Sequence, residues 1–265
     1  MVKLELVEFA DFRSPPEFVS GIFRQNPDLG FPVPLEDIAR AAGIFKIRYE
    51  KFDAFEGVLR ANAEKSRGII AINSRSWPQR QRFTLGHELG HFLLPKHNCF
   101  MECSANDMMS RLRLNPIEVE ANEFSAQLLM PESLFTSHPD YPESPDCMAL
   151  VSLADCCDVS FKACAYRYQD LFRHPLGLIF SQYGEVRSIR RNEALGFWIK
   201  VGINDALPNH LGQKIQTMTA NSVYRQESAT DLWFDTSRAT NPPDSVMEET
   251  FLQENGYATT LLWFE

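Results

Sequence analysis

No stretch of this sequence approaches the roughly 20 consecutive apolar residues that a membrane-spanning helix needs. The opening segment, MVKLELVEFADFRS, interrupts its apolar pattern with Glu5, Glu8 and Asp11, so the unbroken apolar core of a secretory signal is missing as well. These two absences predict a cytoplasmic protein with no membrane partner. Positive charge is also in deficit. Lys and Arg total 26 against 35 Asp and Glu, a formal net charge of -9. Nucleic-acid backbones are bound by Lys and Arg that neutralise phosphates, so direct nucleic-acid binding is not expected. Cysteine is sparse, with six residues at 99, 103, 147, 156, 157 and 164. Cys99 and Cys103 stand four apart, but no second pair with finger-like spacing accompanies them. In a cytosolic chain they read as buried or half-buried thiols, neither disulfides nor a second, cysteine-based zinc site. There are no internal repeats and no low-complexity tract.

What is present suits a globular chain. The 265 residues are 44% hydrophobic, 23% charged and 12% aromatic, enough for one large domain or two modest ones. The spacing predicts short helices in PPEFVSGIFRQNP and over Leu35 to Ala42, the latter ended by Gly43. An extended run, IFKIRYEKF, follows, and RGIIAINS reads as a strand from Arg67 to Ser74. A helix is expected from about Gln79 to Leu94, a loop over 95–116, and a strong helix from Pro116 to before Pro131. A further helix starts at PESLF. MALVSLADCCDVSFKACAYRYQDLF reads as two helices broken at Asp158-Val159-Ser160. After residue 175 the pattern turns strand-like, in LIFSQYG, GFWIKVG, ESATDLWFD and YATTLLWFE. MEETFLQENG is the best helix candidate of that region, closed by Gly256. A domain boundary is expected at 174–176.

One segment carries chemistry. RFTLGHELGHFLL, Arg82 to Leu94, holds His87-Glu88-Leu89-Gly90-His91, an H-E-x-x-H pattern. On a helix, positions i and i+4 share a face, so both imidazoles can converge on one metal ion. Glu88 then lies within reach of a metal-bound water and can take its proton. At this His and Glu content, chance supplies such a pentapeptide in roughly one chain in a hundred. A glycine inside a helix costs about 1 kcal/mol relative to alanine, so Gly86 and Gly90 suggest that another element packs closely there.

A catalytic zinc needs a third protein ligand and an open fourth position. His97 has the spacing of H-E-x-x-H-x-x-G-x-x-H, but Leu94 stands at the glycine and Pro95 intervenes. The better candidate lies in IEVEANEFSAQLLMP. There Ala121, Phe124, Ser125, Leu128 and Leu129 form the buried stripe, and Glu118 falls on its small-residue side. An inward carboxylate is costly unless paired or coordinated. Glu120 and Glu123 read as a solvated face. Two histidines and a carboxylate suit Zn2+ and also Mn2+ or Fe2+.

With both segments in view, the sequence resembles the ImmA/IrrE family of bacterial and phage metallopeptidases. The matching stretches are PLEDIARAAGI, RGIIAINS, RQRFTLGHELGHFLL, FMECS, IEVEANEFSAQLLMP and VSFKACAYRYQDL, spanning about Val33 to Leu171 in the family's order. By that resemblance His87, His91 and Glu118 hold zinc, in a gluzincin-like arrangement, and Glu88 is the catalytic base. Ser125 stands where the family usually has alanine, with little effect expected. The implied function is a zinc-dependent site-specific endopeptidase whose substrate is a helix-turn-helix transcriptional repressor, cut in a stress or mobile-element response. The rival reading is a regulator-binding or antitoxin-like module in which the metal is mainly structural. The expected fold class is α+β. A mainly helical zincin-like domain with a small sheet covers 1–174, including the helical pair at 148–171, and a smaller α/β domain covers 175–265. The latter would sense a ligand or position substrate after the manner of a GAF-like module.

Three further expectations concern partners. GIIAINS reads either as an edge strand that pairs with an extended substrate peptide or as a plain core strand. Residues 148–171 superficially read as helix-turn-helix, with Lys162 and Arg167 available to DNA, but the acidity favours a structural pair. An oxyanion-stabilising residue is also required, and Tyr141, Tyr166, Arg167 and Tyr168 qualify by type alone.

Overall fold

The computed structural model describes residues 2–98, 100–104, 115–237 and 242–264, without the side chains of Met101 and Glu102. Cys99 and residues 105–114 of the expected loop lie outside the described residues. The chain forms a mixed α+β structure of two compact units: 1–138 with 154–163, and 139–153 with 164–265.

The first unit opens with α1, Pro15–Gln25. A capping box starts it, in which Glu17 Oε2 accepts from Ser14 N at 2.8 Å and holds the helix entry. After α2, Leu35–Ala42, come β1, Ile44–Glu50; β2, Gly57–Ala61; and β3, Gly68–Asn73. The helix α3 spans Pro78–Leu93, followed by β4, Phe100–Cys103. Then come α4, Pro116–Leu129, and α5, Glu132–Thr136. The sheet order is β1-β3-β2-β4, with β1 parallel to β3 and the other pairs antiparallel. GIIAINS is therefore an interior strand, paired on both sides, and offers no free edge to a peptide. Its buried Ile70 and Ile72 show why: both sit in the core, and ladder partners are available on either side. The edges are β1 and β4. Both β2 and β4 escape a simple reading of the sequence, because each is short and lacks a clean apolar alternation.

Two helices, α6 at Cys147–Cys157 and α7 at Phe161–Leu171, occupy the expected helical pair, and each contributes residues to both units.

The second unit is built on a five-stranded antiparallel sheet. Its strands are β5, Leu176–Gln182, and β6, Glu185–Arg191; β8, Ser222–Ala229; β10, Ser245–Leu252; and β11, Tyr257–Trp263. They lie in the order β6-β5-β11-β10-β8. A two-residue β7, Trp198–Ile199, pairs with β9, Phe234–Asp235. The short helices α8, Asn209–Ile215, and α9, Thr230–Trp233, complete the unit. Leu195, Leu207, Leu211, Trp233 and Phe234 close its core against Ile179, Val186, Val246 and Leu262.

The expected helix in MEETFLQENG is instead β10 and the turn after it. Met-Glu-Glu favours helix locally, but tertiary pairing overrides that weak preference. Glu248 is fully buried, and its carboxylate accepts from Ser228 Oγ at 2.9 Å and from Gln226 Nε2 and Trp233 Nε1, with His210 Nε2 at 3.0 Å. Those partners exist only when the segment lies in the sheet. Gly256, at φ +71°, ends no α-helix; it closes the single 3-10 turn Glu254–Gly256, which with Asn255 at φ +57° carries the chain from β10 into β11. GFWIKVG shrinks to the two residues of β7, and ESATDLWFD is split by the single turn of α9.

Candidate metal centre

The site lies on α3 and α4. Pro78 opens α3 at its first turn, and Lys65 closes it: Nζ donates to the carbonyl oxygens of His91 at 2.7 Å and Leu94 at 2.8 Å. A cation there satisfies orphan carbonyls and suits the negative end of the helix dipole. Asn115 caps α4, with Oδ1 accepting from Ile117 N at 3.3 Å, and Pro116 occupies its first position.

The glycines of α3 mark where α4 approaches. A Cβ on Gly90 would stand 3.3 Å from the Ala121 backbone, and one on Gly86 would collide with Ser125. Ser125 Oγ donates to Phe83 O at 2.8 Å, so the serine ties the two helices together where alanine could only pack. The buried face of α4 is Glu118, Ala121, Phe124, Ser125, Leu128 and Leu129, the stripe read from the sequence.

This approach brings three donors together. His87 Nε2 lies 3.0 Å from His91 Nε2, and Glu118 Oε2 lies 3.2 Å from His87 Nε2 and 3.6 Å from His91 Nε2. All three residues are buried. Tautomers follow from the outer partners. Asn122 Oδ1, 3.0 Å from His87 Nδ1, accepts its proton, which leaves Nε2 as a lone pair. Glu120 Oε2 accepts from His97 Nε2 at 3.1 Å, which leaves His97 Nδ1 bare to accept from His91 Nδ1 at 2.8 Å. His91 Nε2 is then a lone pair too. His97 thus stands behind His91 rather than among the three donors, and Glu120 is not an idle surface acid.

Three buried lone-pair groups pointing at one another repel unless a cation sits among them. Glu118 Oε2 is buried without a hydrogen-bond partner, as a metal-binding cavity requires, and the buried carboxylate of Glu88 lies beside the Cys103 thiol. Tetrahedral zinc with Zn–N and Zn–O near 2.05 Å sets donor–donor edges of about 3.3 Å, close to those found. The donor set fits a divalent metal.

Electrostatics separate the two carboxylates. Burial pushes Glu118 up, but the imidazoles of His87 and His91 outweigh it and bring its carboxyl down to about 2. Burial pushes Glu88 up to about 8, opposed by the Cys103 thiol and reinforced by Glu118. Burial also lowers the pKa values of His91 and His97, favouring the neutral rings that coordinate and relay. Glu88 is held from behind by β2: a Cβ on Gly57 would run into its carboxylate and the Thr84 methyl.

Sequence reasoning missed a fourth donor. Cys103, at the end of β4, is buried with its Sγ 3.6 Å from His91 Nε2. Potential ligand atoms of His87, His91, Cys103 and Glu118 all lie within 4.8 Å of one another. The available signal was FMECS, one of the stretches that resemble the family, which places Cys103 12 residues past His91. The oxyanion candidates Tyr141, Tyr166, Arg167 and Tyr168 belong to the second unit. There Tyr168 is buried with its hydroxyl donating to Pro142 O at 3.3 Å, and Tyr166 carries Arg190 over its ring at 4.7 Å. No helix among the described residues is long and apolar enough to cross a membrane.

The same segment that builds the site is shared with known proteins. Residues 40–169 match the IrrE N-terminal-like domain family of peptidases. The radiation response metalloprotease IrrE of Deinococcus radiodurans is 35% identical over 99 residues, which cover 37% of this chain and 30% of that protein. The alignment therefore spans under a third of that relative's length. A solved structure described as a Mycobacterium tuberculosis transcriptional regulator is similar in fold over 94% of this chain and 75% of that one, with a TM-score of 0.59 at 14% identity. With its two-histidine helix, the glutamate on the next helix and the match over 40–169, this segment of the chain is an IrrE N-terminal-like domain.

Proposed function

We propose that this chain is a zinc-dependent, site-specific endopeptidase of gluzincin type. The observation that carries the reading is the buried convergence of Glu118 with His87 and His91, whose helix also carries the fully buried Glu88. In this reading His87, His91 and Glu118 hold the metal. A bound zinc supplies Lewis acidity that polarises the scissile carbonyl and makes water more acidic. Glu88 takes the proton of the attacking water and passes it to the leaving amine. Asn122, His97 and Glu120 fix the ring orientations, and Lys65 holds the end of the helix that presents His91. Gly57 keeps the space that Glu88 needs.

The substrate is a protein, and the family resemblance points to a helix-turn-helix repressor whose loss switches on stress or mobile-element genes. The region 175–265 positions that substrate or senses a ligand, in the way a GAF-like module does, while 1–174 carries the catalysis. The test is to identify the neighbouring gene and, where it encodes a helix-turn-helix repressor, to incubate that repressor with the protein. Discrete fragments are expected from the zinc-loaded protein and none from Glu88→Gln. Cutting at the same bond by Glu88→Gln would refute the mechanism.

One observation favours the rival reading, a regulator-binding module with a structural metal. Cys103 offers a fourth protein donor, and structural zinc sites are closed by four. Failure to cut any neighbouring regulator, together with tight metal-dependent binding to it, would select that reading.

A further inference from the structure

Cys103 reaches the site through sheet pairing. In the register of β2 and β4 it stands opposite Gly57, the residue whose missing side chain makes room for Glu88. Its carbonyl accepts from Glu56 N at 2.8 Å, which fixes the end of the strand. The thiol is thus delivered by backbone pairing to the side of the site that neither helix covers with a donor. With Zn–N near 2.05 Å and Zn–S near 2.3 Å, a tetrahedral ion sets an N···S edge of about 3.6 Å. The Cys103 Sγ to His91 Nε2 separation is 3.6 Å. A second observation points to a ligand at the same place: Glu118 Oε2, buried without a hydrogen-bond partner, belongs to the same cluster of potential ligand atoms.

We propose that Cys103 is the fourth metal ligand, so that the resting site is a closed His87–His91–Glu118–Cys103 tetrahedron, and that the thiolate must leave the metal before water can occupy the position beside Glu88. This deepens the endopeptidase reading and rests on it: it assigns the site a latent state built from β4. Latency reconciles a four-donor cluster with an intact general base. A purely structural site has no use for a fully buried glutamate on the turn that carries its histidines, and an always-open site has no use for a thiol at ligand distance from His91 Nε2.

Cobalt(II) loading of the full chain tests this. Tetrahedral cobalt gives intense visible d–d bands, and a cobalt–thiolate bond adds a near-ultraviolet charge-transfer band. The wild-type protein is expected to show both. Cys103→Ser is expected to keep visible bands, lose the charge-transfer band and bind zinc at least about 10-fold more weakly in competition with a chromophoric chelator. Visible bands without a charge-transfer band in the wild type would overturn the thiolate ligand and leave the three-donor site standing. A charge-transfer band that survives in Cys103→Ser would also overturn it, because another cysteine would then be the ligand. No cobalt spectrum at all would overturn the metal site and with it the endopeptidase reading. Should Cys103→Ser fold poorly, X-ray absorption of the zinc-loaded wild type decides. A sulfur shell near 2.3 Å supports the proposal, and nitrogen and oxygen shells near 2.0–2.1 Å alone overturn it.

Discussion

Removing His97 should weaken metal binding although His97 touches no metal. His91 Nδ1 donates to His97 Nδ1 at 2.8 Å, and His97 in turn donates to Glu120 at 3.1 Å. The first of these bonds is buried, and it fixes both the tautomer and the ring plane of His91. Outer partners of this kind are worth about 10–100-fold in metal affinity, or about 1.4–2.7 kcal/mol. His97→Ala leaves the His91 Nδ1 proton without an acceptor in a dry site, so the expected loss lies in the upper half of that range. Glu120 is different. Its side chain is 46% exposed, so its charge is screened, and a glutamine would still offer an oxygen to His97. Glu120→Gln should therefore change affinity by only about 3-fold or less. Competition titration of zinc against a chromophoric chelator, at one pH, reads both variants. An unchanged affinity in His97→Ala would refute the relay. A loss as large as that of His91→Ala would make His97 a ligand, contrary to the geometry.

Other perturbations probe the frame around the site. Gly57→Ala pushes a methyl into Glu88 and Thr84; overpacking should cost about 1–3 kcal/mol in denaturant unfolding and lower kcat more than it raises KM. Ser125→Ala removes the bond to Phe83 O and should cost about 1 kcal/mol in the same measurement, more than the near-neutral effect expected from sequence. In the second unit, Glu248→Ala strands the donors of Gln226, Ser228 and Trp233. It should destabilise by about 3–5 kcal/mol, seen as a lower melting temperature or faster limited proteolysis of that region.

The site was legible in sequence to the extent that it was local. The shared face of the i, i+4 histidines on α3 and the inward side of Glu118 on α4 follow from helical periodicity, their grouping as ligands from the family resemblance, and Gly86 and Gly90 announced the packing that joins the helices. Cys103 and Asn122 were not legible as parts of the site, and His97 was legible only as a rival third ligand, because their roles come from tertiary placement. Cys103 depends on a four-residue strand in a region that reads as loop. His97 depends on a turn that folds it back behind His91. The fold shows the same division. Long amphipathic helices were found, whereas β2 and β4 were too short to carry a pattern. MEETFLQENG was misread because the buried carboxylate of Glu248 satisfies its lone pairs with side chains 15 to 38 residues away, which no local rule anticipates.

In the proposed mechanism His87, His91 and Glu118 hold the metal while Glu88 does chemistry without holding it. The most direct measurement is zinc affinity of Glu88→Gln and Glu118→Ala side by side with the wild type. Near wild-type affinity is expected for Glu88→Gln and, for Glu118→Ala, a loss beyond the roughly 10–100-fold of an outer partner. Wild-type affinity in Glu118→Ala, or lost affinity in Glu88→Gln, would contradict it.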